Sequence, residues 1–300
     1  SHPAEVGQLD TPDNALDVAL SGIRAFVADR SSLRIIDVSV PTSPIETGFI
    51  ATPGNAYGVA VSGSYAYLAN DDAGLRLIDI SSPSNPFEAG FIDTPGEARG
   101  VAVSEGYAYV ADGNAGLRIV DVASPTSPFE VGFIDTPGYA QRVAVVGSFA
   151  YVADHFAGLR IIDVSMPSSP AEVGFVSGTG EANGVDVVGI YAFVAAAGLQ
   201  VIDVSNPFSP SPVSLNHTPG SASGVAATER YVYVAVGEAG VEIFNTTSCA
   251  PPAPSSAPWW TASRCRWCPR SSAARVAPRP SAPRRCRCRR ARSSSSRRSN

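Results

Sequence analysis

The 300-residue sequence predicts an all-β fold: a six-bladed β-propeller of four-stranded antiparallel blades, closed by its own N-terminal strand and followed by a disordered tail. Three observations predict it. First, one strand-like pentapeptide returns six times: Leu33-Arg34-Ile35-Ile36-Asp37, LRLID, LRIVD, LRIID, LQVID and Val241-Glu242-Ile243-Phe244-Asn245. Its last residue falls at 37, 79, 121, 163, 203 and 245, so the steps are 42, 42, 42, 40 and 42 residues. A period of about forty residues marks stacked supersecondary units, none of which can bury its apolar face alone. Second, each unit divides at turn residues into four short runs rich in Val, Ile, Tyr and Phe, without helical spacing. Third, the two ends of the pattern are complementary remainders.

The second repeat shows the elements in order. Strand A is predicted over 58–61, B over 65–69, C over 74–80 and D over 87–92. Each link is short enough for a hairpin, so the four form one twisted antiparallel sheet. Thr-Pro-Gly at 52–54, 94–96, 136–138 and 218–220 joins D to the next A. Proline followed by glycine predicts a type II turn with positive φ at the glycine; Asp13 and Gly180 occupy that slot where the motif decays. Pro44, Pro86, Pro128, Pro170 and Pro210 begin strand D. Proline belongs on a sheet edge, so D is expected outermost and A innermost, lining the channel.

The opening Pro3-Ala4-Glu5-Val6-Gly7 aligns with Pro44-Ile45-Glu46-Thr47-Gly48, a D strand with no A, B or C before it. The last repeat supplies A, B and C but no D. The expectation is a three-plus-one closure, with the N-terminal strand pairing beside the final C strand. Because it begins mid-pattern, the chain is expected to be a processed product or a fragment.

The Leu-x-Ile-Ile/Val-Asp core inside a forty-residue β unit resembles the LVIVD repeat family of bacterial and archaeal β-propellers. The resemblance runs from Pro3 to about Asn245; blade six departs from it (VEIFN) and blade five is two residues short. It implies the propeller fold and a secreted or cell-surface location, and it brings no agreed activity or catalytic residues. WD40 and kelch repeats fit less well, since the propeller part has no tryptophan and no Gly-Gly strand signature.

Charge divides the chain near Cys249. Residues 1–248 hold all 27 acidic residues and nine arginines, a net −18; residues 249–300 hold 13 arginines and no acid. The domain reading is therefore a propeller over 1–248 and a tail over 249–300. Acidity disfavours nucleic acid as a partner of the propeller, and no apolar run reaches transmembrane length. The Arg/Ser/Pro-rich tail lacks periodicity and cannot bury enough apolar surface to offset chain entropy. Cys265-x-x-Cys268 and Cys286-x-Cys288 resemble a four-cysteine zinc site with one spacer missing. A basic arm and an out-of-frame reading are the other accounts of this composition.

Positions that recur in every blade are expected to be structural. Arg34/Asp37, Arg76/Asp79, Arg118/Asp121 and Arg160/Asp163 lie three apart on strand C, so they point to opposite faces and need ion-pair partners elsewhere. The repeated Glu5, Glu46, Glu88, Glu130 and Glu172 read as a solvated rim. Positions that vary are the candidates for function. Alternating strand direction sends the D–A and B–C loops to one end, beside the channel mouth. An alanine frame there carries Tyr57, Arg99, Gln141, Arg142 and Asn183, with Asp112, Asp154 and His155 at the rim. Loops on a rigid scaffold around a concave mouth are where binding groups collect.

The leading functional expectation is a non-enzymatic binding or display module, monomeric and extracellular or on the cell surface. It would engage a protein or glycan through these eight residues, without a cofactor. The alternative is a hydrolase or lyase using carboxylates or a metal at the mouth, with Glu97 and Glu181 in matching slots. Asn70-Asp71-Asp72 and Asp112-Gly113-Asn114 offer oxygens for calcium but lack the full loop pattern. The Asp after strand B has a simpler reading as a turn-forming residue. Asn216 and Asn245 sit in glycosylation sequons.

Overall fold

The computed structural model describes residues 4–178 and 180–246. Blade 1 consists of β1 (Asp17–Ser21), β2 (Arg24–Ala28), β3 (Arg30–Asp37) and β4 (Ile45–Ala56). Blade 2 is β5 (Gly58–Ser62), β6 (Tyr65–Ala69), β7 (Leu75–Asp79) and β8 (Phe87–Ile92). Blade 3 is β9 (Gly100–Ser104), β10 (Tyr107–Ala111), β11 (Leu117–Asp121) and β12 (Phe129–Ile134). Blade 4 is β13 (Arg142–Val146), β14 (Phe149–Ala153), β15 (Leu159–Asp163) and β16 (Ala171–Val176). Blade 5 is β17 (Gly184–Val188), β18 (Tyr191–Ala195), β19 (Gly198–Asp203) and β20 (Ser211–His217). Blade 6 is β21 (Gly224–Ala227), β22 (Tyr231–Ala235) and β23 (Val241–Asn245). Every pairing is antiparallel and every sheet keeps chain order. The six-bladed, all-β expectation therefore holds. Each D strand starts directly after its proline, at the sheet edge.

The core lies between blades. Phe26, Ala28, Leu33 and Ile35 of blade 1 meet Ala66, Leu68, Ile78 and Ile80 of blade 2. Tyr67, Ala69, Leu75 and Leu77 of blade 2 in turn meet Ala108, Val110, Val120 and Val122 of blade 3. Alternation along strands B and C thus sends one set of side chains to each neighbour, which makes each sheet apolar on both faces.

The strand C arginines find their partners on the outer strand. Arg34, Arg76, Arg118 and Arg160 lie 3.4, 3.7, 3.9 and 3.4 Å from Glu46, Glu88, Glu130 and Glu172. Each guanidinium also lies over an aromatic ring of the same strand D (Phe49, Phe91, Phe133 or Phe175), at 4.3–4.9 Å. These glutamates are therefore not a free solvated rim; they complete a carboxylate–guanidinium–aromatic ladder along the outer edge. The aspartates that end strand C do something else. Asp37, Asp79, Asp121, Asp163 and Asp203 accept the backbone N–H two residues on, at 2.8–2.9 Å, and open the turn toward strand D.

Two expectations are corrected. The glycines of the four Thr-Pro-Gly turns are not in the left-handed region, although Gly180, which takes that slot before blade 5, is (φ 83°); most positive φ values belong instead to the A–B hairpins, as at Gly63 and Gly147, and to the B–C loops. Glycine is required at Gly54, Gly96 and Gly138 because a Cβ would stand 2.1–2.4 Å from the carbonyl oxygen of Asn70, Asp112 or Asp154. Close approach, not dihedral angle, is the constraint. The three-plus-one closure is also not formed: residues 4–12 carry no strand, and the last sheet has three strands among the described residues. Among the described residues no strand of blade 6 pairs with the N-terminal segment, so that segment has no ladder to join. The tail, with its zinc, basic-arm and boundary readings, lies outside the described residues.

Candidate functional site

The mouth is built by latches between blades. In blades 1 to 4 the second residue after strand B is held at positive φ: Arg30 at 47°, Asp71 at 55°, Gly113 at 57° and His155 at 48°. Its backbone then bridges to the frame alanine of the next blade, giving Arg30–Ala56, Asp71–Ala98, Gly113–Ala140 and His155–Ala182. Those alanines are fully buried. The alanine frame is thus a backbone latch, and the residues either side of it project at the mouth.

The aspartates placed at the rim from sequence turn inward. Asp112 and Asp154 are completely buried. Asp112 accepts the Thr94 hydroxyl at 2.5 Å and the Gly96 N–H at 2.8 Å. Asp154 does the same with Thr136 at 2.6 Å and Gly138 at 2.8 Å. Burial pushes both carboxyls above the usual range, opposed by these hydrogen bonds and by Arg118 or Arg160. They hold the Thr-Pro-Gly turn against the B–C loop, which corrects their assignment as surface contacts. Of the oxygens offered for calcium, Asn70 Oδ1 and Asp112 Oδ2 are likewise spent on glycine N–H groups, and among the described residues no three His, Cys, Asp or Glu side chains converge.

Tyr57 and Arg99 are brought together, with partners that sequence reasoning had not joined to them. The Arg99 guanidinium lies 4.1 Å over the Tyr57 ring and donates to the Tyr139 hydroxyl at 2.7 Å. It also donates to Glu97 and sits 3.8 Å from Asp71. Tyr139 donates to the same Glu97 oxygen. Asp71 accepts from Asn55 Nδ2 at 2.8 Å, and Asn55 Oδ1 accepts from Arg30 at 3.3 Å. One polar chain therefore runs across blades 1 to 4. The Tyr139 and Arg99 hydrogen bonds hold the Glu97 carboxyl below its ordinary range. Burial and Glu97 push the Tyr139 phenol up to about 12. Burial works against the Arg99 charge, but Glu97 and the two tyrosines outweigh it and keep the guanidinium firmly protonated.

Beside this chain lies an open cleft of about 460 Å³ lined by Ser31, Thr52, Pro53, Asn55, Asp71 and Asp72. Arg142 points into the channel, where its guanidinium donates to the carbonyls of Arg99, Tyr57 (2.9 Å) and Leu16 (3.5 Å). Asn183 is likewise spent on a carbonyl, that of Ala222 at 3.1 Å. Gln141 is half-buried near the axis. His155 stands apart on blade 4, its ring 4.2 Å from Phe156 and Nε2 3.9 Å from Glu181. Asn55 and Tyr139, missed from sequence, share one slot with Glu97, which was read there only as a carboxylate of the enzyme alternative: the residue before the frame alanine. That slot varies between blades, which was the available signal.

Sheets of four antiparallel strands packed face to face around an axis, with variable loops at one end, define a β-propeller repeat protein. The LVIVD repeat profile matches six times, at 12–52, 53–94, 95–136, 137–177, 179–216 and 219–244, and the chain belongs to that family. The curated proteins contain no sequence match. Several solved structures share the fold at low identity. The periplasmic gluconolactonase PpgL of Pseudomonas aeruginosa aligns with a TM-score of 0.69 and 13% identity, over 79% of this chain and 83% of that one. A functionally unknown protein from Desulfotomaculum acetoxidans gives 0.68 and 15%, over 80% and 84%. The computationally designed Ika8 protein gives 0.63 and 8%, over 80% and 74%. At such identities the likeness concerns the fold. No helix among the described residues is long and apolar enough to cross a membrane.

Proposed function

We propose that this protein is a non-enzymatic binding module that acts outside the cell or on its surface. It takes a protein or glycan ligand on the loop end of blades 1 to 4. The observation that carries this reading is the Tyr57–Arg99–Tyr139–Glu97 cluster beside the Asn55/Asp71/Asp72 cleft. It is half-buried, pre-ordered by its own hydrogen bonds, and made from slots that the repeat leaves free to vary. Tyrosine and arginine supply large rigid area with directed polar groups, the usual anchors of a binding face. Arg142, Asn183, Asp112 and Asp154 support the face through backbone contacts. His155 lies on its flank.

The hydrolase or lyase reading draws no comparable support. A general acid needs a raised pKa, whereas Glu97 is held ionised by two donors. The name of the gluconolactonase neighbour describes that protein.

Alanine at both Tyr57 and Arg99 should weaken capture of a glycan-array or surface-protein ligand at least tenfold. Calorimetric Tm should shift by only a few degrees, since the cluster lies outside the apolar junctions. Undiminished capture by the double variant would exclude this face.

A further inference from the structure

We infer that the six blades form an arc of a larger ring, and that the seam between blades 6 and 1 is a docking surface for a blade of this same repeat. Five junctions are built alike. Inner strand packs on inner strand from β1 to β5, β9, β13, β17 and β21, and each pair of blades encloses its own apolar core. Equal junctions impose an equal step. Blades 1 to 4 also share one layer, because the single Arg142 guanidinium of blade 4 reaches the carbonyls that open the inner strands of blades 1, 2 and 3. Six equal steps of 60° in one layer would bring blade 6 onto blade 1.

They do not meet. Val241, Ile243 and Tyr233 of blade 6 are 61, 39 and 38% exposed, whereas their blade 3 counterparts Leu117, Ile119 and Tyr109 are 0, 0 and 4% exposed. On blade 1, Val18 and Leu20 are 57 and 73% exposed; Ala25, Val27 and Ile36 are buried, but their apolar cluster includes no residue of blade 6. Ala15, the blade 1 frame alanine, is exposed where five others are fully buried. The step is therefore smaller than 60°.

The chemistry of the occupant is already in the molecule. The exposed face of blade 6 is the leading half of a junction made five times, and the face of blade 1 is its trailing half. The N-terminal segment supports this. A Cβ on Gly7 would stand 2.1 Å from the Pro41 oxygen, the contact that outer-strand Gly48, Gly132 and Gly174 make with Pro83, Pro167 and Pro207 of the next blade. The segment stands where the outer strand of a preceding blade belongs, yet β23 is not beside it. Propellers hold four to eight blades, so the gap fits one or two; six blades are about 86% of a seven-bladed ring and about 75% of an eight-bladed one. The alignments above span 74–84% of the neighbours. A second whole copy has the right faces but brings five further blades into that gap.

The test adds the blade. One variant joins a copy of residues 55–85 ahead of Pro3, so that the N-terminal segment becomes its outer strand; a second variant carries one full repeat more. The better-fitting variant should gain about 5 °C or more in Tm and protect β22 and β23 amides from deuterium exchange. In the unextended chain, Val241→Asp should leave Tm within about 2 °C, while Leu199→Ala lowers it by about 6–10 °C. A Val241→Asp loss as large as that of Leu199→Ala would mean that the ring shuts on itself and would overturn the inference. So would a dimer, seen by light scattering, that Val241→Asp abolishes, and so would extended variants no more stable than the parent.

Discussion

Asp154→Ala should cost about 3 kcal/mol, a fall in Tm of about 6–12 °C for a chain of this size. The carboxylate is fully buried, and its removal strands the Gly138 N–H and the Thr136 hydroxyl while Arg160 loses a partner 3.7 Å away. Asp154→Asn should cost no more than about 1 kcal/mol. Blade 2 already uses that arrangement: Asn70 Oδ1 accepts the Gly54 N–H at 2.9 Å, and the Thr52 hydroxyl turns to the Gly54 carbonyl instead. The pH dependence follows from the raised pKa. Burial makes the native carboxyl hold its proton to higher pH than the unfolded one, whose reference value is 3.8. Between the two values the native state binds more protons, so this group's contribution to stability falls as pH rises. Asparagine lacks that titration, so the advantage of the parent over Asp154→Asn should be largest in acid and shrink on raising the pH past 4. Urea denaturation across pH 3–7 would show it. An advantage that grows with pH would mean that Arg160, not burial, governs the carboxyl.

Gly138→Ala is the second large effect, about 3 kcal/mol or more. The new Cβ would lie 2.1 Å from the Asp154 carbonyl oxygen and 2.7 Å from Ala157 Cβ, and the first of these is backbone that cannot swing aside. Gly147→Ala is the control. Its φ of 57° carries the left-handed penalty of about 1–2 kcal/mol, but open space surrounds it. If the two substitutions cost the same, the Thr-Pro-Gly turn is governed by dihedral preference after all, and the steric account fails.

The contrast between these glycines shows what was legible. Gly63 and Gly147 announce a tight hairpin by their position between two apolar runs, a local property. Gly138 also looks like a turn residue, but its reason is a carbonyl 16 residues away, which no local pattern contains. The aspartates divide similarly. Asp163 caps the next turn within its own sequence and could be anticipated as a turn former. Asp154 was readable either as a rim contact or as a turn residue, and only burial between Thr136, Gly138 and Arg160 decided it. At the mouth, the variable slots around the alanine frame were legible as a set. That Arg99 would choose Tyr57, Glu97, Asp71 and Tyr139 depends on side chains from three blades reaching one point.

The 42-residue period, the alternation of Leu/Ile with polar residues on strand C and the edge prolines determined on their own that this chain makes six antiparallel blades. Those signals are local, and sheet formation responds to local pattern. Whether the blades close was decided only in three dimensions. Closure depends on the angle between sheets, which is set by how Tyr, Ala and Leu side chains interdigitate at each junction. A shortfall in that angle too small to mark any one repeat accumulates over five junctions until blade 6 no longer meets blade 1.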